Sequence, residues 1–194
     1  GDDVGLNANG TDLTIGRIIA QGNVTLSAGR NILDGDALMD TVTVDIEAGG
    51  LTLGVTGLGP IDNVGTVANP LETNVSVLRI EDGRLAAAAT TGLYVVNEGD
   101  LELDYGTNIG TDGQIDTFSL TTGGSLTVDG GLNMVGSDAD VITLTSTGGD
   151  VVIDATGAAV EVAGNGTITL DAADDMSLLS DVATGATGNV VLTA

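Results

Sequence analysis

A short unit recurs along this chain: apolar, any, apolar, any, Ala, a small turn, then another apolar residue. It reads VTLSAGRNI from Val24 to Ile32 and ITLDAADDM from Ile168 to Met176. Looser copies are LELDYGTNI from Leu101, LTVDGGL from Leu126 and VVIDATGAAV from Val151. A unit this short cannot bury its apolar face alone, so copies must stack to make a core. The copies scatter around a spacing of roughly 20 residues, the length of one solenoid coil.

Period-2 alternation fills the units. Thr41 to Ile46, Ile142 to Thr145 and Thr167 to Leu170 place Val, Ile and Leu on one face and Thr or Asp on the other. The runs are too short for helices, and Gly, Asn and Asp separate them. Ala86 to Ala89 is the one helix-like stretch, and its threonine-rich, glycine-bounded surroundings predict a loop or strand. The apolar set is mostly Val, Leu, Ile and Ala, with one Phe, two Tyr and no Trp. Such residues suit many thin, similar layers. A β-sandwich also fits alternation, but the quasi-regular repeat and the 31 glycines favour a β-solenoid. The expected fold is all-β, a parallel β-solenoid of roughly 8 to 10 coils at about 4.8 Å each, a rod of roughly 40 to 50 Å. Val24, Leu26, Val151, Ile153, Ile168, Leu170, Val190 and Leu192 are the expected apolar column.

The chain finishes VVLTA and begins GDDV. Joined end to start, these give another copy of the unit. Residues 1–194 are therefore expected to form a single solenoid segment, one repeat or excerpt of a longer chain, with itself as its main partner.

Asn31 to Gly83, followed by Gly92 to Leu103, resembles the repeats of very large secreted bacterial adhesins of the filamentous-haemagglutinin-like kind. The resemblance rests on Ala68-Asn69-Pro70-Leu71-Glu72-Thr73 after a glycine-rich loop, on the Gly92 to Asn97 strand, and on the Val-x-Leu-Ser/Thr-Ala-Gly units. It implies a right-handed parallel β-helix, an extracellular or cell-surface location, and a rod that mediates adhesion, aggregation or biofilm formation. Read physically, Asn69, Pro70, Leu71, Glu72 and Thr73 make a corner. Pro70 fixes its own φ and biases Asn69 toward extended geometry. Leu71 then turns inward and Glu72 faces water.

Charge narrows the partners. There are 28 acidic residues against four arginines and no lysine, a net charge of −24. That field repels nucleic acid and anionic membranes. No apolar run reaches transmembrane length. Host-surface or matrix glycans remain as partners for a receptor-binding passenger domain, the alternative to a purely structural segment. In that alternative the loop from Thr56 to Pro70 would make the contact.

Catalysis is not expected. The chain has no histidine and no cysteine, which removes Ser–His and Cys–His chemistry. Some β-helix enzymes cleave acidic polysaccharides with paired carboxylates. Asp34/Asp36, Asp138/Asp140 and Asp174/Asp175 could be posed that way, yet Asp beside Gly in a turn ordinarily caps backbone N–H groups. Gly54 to Gly65 lacks the Lys-Ser/Thr of a phosphate loop. No cofactor is expected beyond weakly bound calcium, which takes oxygen ligands. Its candidate ligands are Asp34, Asp36, Asp171, Asp174 and Asp175, with plain solvated turns as the competing reading. Four Asn-x-Ser/Thr sequons, at Asn9, Asn23, Asn74 and Asn165, would carry glycans only on a surface filament of a glycosylating organism.

Overall fold

The computed structural model describes residues 2–35, 44–54, 62–80, 92–105, 107–109, 116–134, 139–154 and 159–194. Among them there is no helix, and every strand pairing is parallel. The chain winds as a β-solenoid. Eight strands stack along the first sheet: Val4–Ala8, Asn23–Ala28, Gly50–Leu53, Val77–Ile80, Leu101–Tyr105, Leu126–Val128, Val151–Ile153 and Met176–Leu178. Coils are numbered here from these eight strands. The second sheet runs through Leu13–Ile15, Asn31–Asp34, Asn63–Val64, Gly92–Asn97, Thr117–Thr122, Val141–Ser146, Thr167–Ala172 and Asn189–Thr193. Among the described residues, a third sheet runs through the later coils, by way of Thr107–Ile109, Leu132–Met134, Val160–Val162 and Val182–Thr184.

Register puts like on like. Leu78, Leu103, Val128, Ile153 and Leu178 are successive partners, 25 residues apart each time. Earlier coils differ, stepping 20 residues from Val4 to Val24 and 27 from Val24 to Leu51. The coil is thus longer than the roughly 20 residues the repeat suggests. The reason lies in where the unit falls. In VTLSAGRNI the turn leads from first sheet to second, whereas in ITLDAADDM it leads from second to first. Each coil presents the same strand–corner–strand grammar more than once, so spacing between copies is not the spacing between coils.

The expected apolar column is divided between two sheets. Val24, Leu26, Val151 and Ile153 line the first sheet, and Ile168 and Leu170 the second; all six are fully buried. Val190 and Leu192 extend the second-sheet column by register but are 41 % and 49 % exposed. They belong to the eighth coil, the last of those described. Among the residues whose burial is described, Phe118 is the one ring in the buried column, sandwiched in register between Leu93 and Ile142.

In the first three coils the second sheet is forked. Beside Leu13–Ile15, Asn31–Asp34 and Asn63–Val64 runs a second branch, Ile18–Ile19, Ile46–Glu47 and Leu71–Asn74. The branches merge on one strand of the fourth coil. There Gly92 and Leu93 pair with Asn63–Val64, while Val95 to Asn97 pair with Leu71 to Thr73.

Candidate functional site

Among the described residues, the fork gathers the one group of three carboxylates built around a fully buried acid. Asp34 closes the first branch in coil two, Asp45 precedes the second branch in the same coil, and Glu72 lies on the second branch of coil three. The ladder fixes Asp45. Its N–H donates to Glu72 O at 3.0 Å, and its carbonyl accepts Ile18 N–H at 2.6 Å. Its side chain then rises toward the coil above, where Oδ2 accepts the Glu72 N–H at 3.1 Å. Carboxylate oxygens from Asp34, Asp45 and Glu72 all lie within 4.8 Å of one another. Arg17, one rung below, is engaged at the surface with Glu47 at 3.9 Å.

Asp45 is fully buried, and its Oδ1 has no hydrogen-bond partner. Burial pushes its carboxyl up to about 8 from an ordinary 3.8. The Glu72 N–H works against that rise, and the Asp34 and Glu72 carboxyls add to it. Beside two neighbouring acids, the fully buried Asp45 carboxyl is held toward its neutral form. The arrangement can share a proton or hold a cation.

Of the acidic residues expected to bind calcium, the structure assigns Asp34 to this fork. Asp36 lies outside the described residues. Asp174 and Asp175 meet Asp150 at the corner between the second and first sheets. There Asp150 and the Asp175 N–H belong to a capping ladder: Asp100 Oδ1 accepts Ser125 N–H at 2.8 Å, Ser125 Oγ accepts Asp150 N–H at 3.1 Å, and Asp150 Oδ1 accepts Asp175 N–H at 3.1 Å. Asp174 and Asp175 are exposed. Asp171 is not brought to them; it sits in the second sheet in register with Thr145 and Thr193. Asp140 is buried, its Oδ1 accepting Asp116 N–H at 2.9 Å, and Asp138 is outside the described residues.

The Asn69–Thr73 motif is the bridge between the two branches. Asn69 and Thr66 exchange backbone bonds at 2.8 and 3.2 Å, closing a turn before Pro70. Leu71 is buried as expected. Glu72 is half-buried rather than turned fully to water, because its neighbour is the Asp45 carboxylate. Asp45 is the residue that sequence reasoning missed. Alternation through Thr41 to Ile46 assigns it to the polar outer face, but the strand proper begins only at Ile46. Asp45 therefore precedes the pleat, and its side chain does not follow the alternation. The four sequon asparagines are all exposed.

Fold and site together define a parallel β-solenoid with an acidic fork. No protein-family model, curated protein or solved structure matches this chain.

Proposed function

We propose that this chain is a non-enzymatic structural segment of an extracellular adhesin or surface filament, whose work is to extend a rod by coil stacking. The observation that carries this reading is the placement of exposed apolar surface. Among the described residues, nine large hydrophobic side chains are exposed, and seven of them lie in the first or last coil: Leu6, Ile19, Leu178, Leu179, Val190, Val191 and Leu192. Edge strands with apolar side chains are templates for further strands. Each end is therefore suited to a continuing coil, from more chain or from another copy. Electron microscopy of the purified chain tests this: rods longer than one segment's eight rungs support it, and a field of compact single particles argues against it.

A second reading, a glycan-binding passenger module, is favoured by one feature. An open groove of about 570 Å³ beside the fork is lined by Asn31, Asn63, Thr66, Val67 and Tyr94. Amides beside an aromatic ring suit a sugar, which needs both hydrogen bonds and a flat apolar face. Asn31 and Asn63 are, however, already joined to each other, Nδ2 of Asn63 donating to Oδ1 of Asn31 at 2.9 Å. Specific retention on a glycan array, lost in Tyr94→Ala, would establish this module.

A further inference from the structure

We propose that the fork of the second sheet is a cation site, in which the Asp34, Asp45 and Glu72 carboxylates hold one calcium-class divalent ion between coils two and three. Two independent observations meet here. The first is geometric: three side chains from separate strand ends bring an oxygen each within 4.8 Å of the others. The second is that Asp45, with none of its surface exposed, leaves Oδ1 without a hydrogen-bond partner. A buried carboxylate oxygen left unpaired is costly, and a positive ion placed against it removes that cost.

The donor set chooses the ion. Oxygen is the only ligand atom offered, since the chain has neither histidine nor cysteine, and that selects a hard cation. Calcium takes six to eight oxygens at about 2.3 to 2.6 Å in a flexible shell, which three carboxylates can begin to fill. Magnesium, at about 2.1 Å, holds to a strict octahedron and is usually held through one or two carboxylates only. Three carboxylates outweigh a divalent charge by one, so the ion suits this acidic corner without overcompensating it. Because Asp45 and Glu72 belong to adjacent coils, the ion would clamp one winding to the next where the second sheet is split.

The acidic corner at Asp150, Asp174 and Asp175 offers no equivalent. Two of its three side chains are exposed, and the Asp150 carboxylate already accepts the Asp175 N–H.

The test uses the whole chain, freed of metal with a chelator and kept near 0.15 M monovalent salt, where charges more than about 8 Å apart are largely screened. Calorimetric titration with calcium chloride should show one saturable site per chain. Half-saturation is expected on the order of 10⁻⁴ to 10⁻³ M, as in extracellular calcium modules. The thermal midpoint should rise with calcium, since the ion binds only the folded state. Asp45→Asn should weaken binding at least tenfold and abolish the thermal shift. Glu72→Gln should weaken it too, and serves alone if Asp45→Asn fails to fold. Asp174→Asn should leave both readouts unchanged. No saturable step in the wild type, or an undiminished one in Glu72→Gln, overturns the site. A magnesium response equal to that of calcium overturns the choice of ion.

Discussion

Asp45 shows how one residue sets a pH dependence. Its folded carboxyl titrates near 8, above its ordinary 3.8, because burial penalises the charge. The folded state therefore holds this proton more tightly than the unfolded state does. The stability this contributes is whole below about 4 and drains away as pH rises to about 8. In chelated buffer, chemical denaturation across that range should show stability falling with pH. One proton limits the slope to about 1.4 kcal/mol per pH unit. Asp45→Asn should flatten it; an unchanged slope in that variant would assign the titration elsewhere. This behaviour could not be read from the sequence. Alternation speaks for side chains inside a pleat, and Asp45 stands one residue before its strand. Asp34 was legible as an acidic turn residue, but its partners come from 11 and 38 positions along the chain, a distance only the winding can close.

At the scale of the element, the corners hold the strands in place as much as the apolar columns do. Thr73, Asn97, Thr122, Ser146 and Ala172 are register partners at the end of the second sheet. Asn97 is fully buried and joins three segments. Its Oδ1 accepts Thr73 Oγ1 and Val75 N–H, both at 2.9 Å, and its Nδ2 donates to Gly99 O at 3.1 Å. Asn97→Ala strands those groups in a dry corner and should cost about 2 to 4 kcal/mol in a denaturant titration. A loss below about 1 kcal/mol would mean that water replaces the amide. The next corner depends on a missing side chain. A Cβ on Gly123 would stand 2.0 Å from Glu98 O and 2.9 Å from its carbonyl carbon, both backbone. Gly123→Ala must therefore push two coils apart. It should lower the thermal midpoint more than an alanine at Gly99, where the nearest atom is 3.9 Å away. The strands themselves were legible, since the spaced Val, Leu and Ile of residues 24–26, 151–153 and 168–170 are buried. Coil length was not, because a corner of one grammar serves both the first-to-second and second-to-first turns.

At the scale of the whole molecule, the proposed end-to-end stacking sets apolar attraction against repulsion between acidic copies. Val190 and Leu192 continue the second-sheet column into its last described strand, and Leu6 and Ile19 are exposed in the first coil. Burying such surface favours stacking by about 25 cal/mol per Å². The opposing charge is −24 on every copy. At low salt that charge acts over about 30 Å, close to the height of eight rungs at 4.8 Å, so approaching copies repel along most of their length. Near 0.15 M salt the range shrinks to about 8 Å, and only the facing coils still feel it. Self-association should therefore strengthen as salt rises, the reverse of contacts made by surface ion pairs. Sedimentation velocity over a sodium chloride series reads this directly. Leu192→Asp should hold the chain monomeric across the series, because it sets a carboxylate on the column that a further coil must cover. A chain that stays monomeric at every salt concentration, or a Leu192→Asp variant that assembles like the wild type, would remove the ends as the site of assembly.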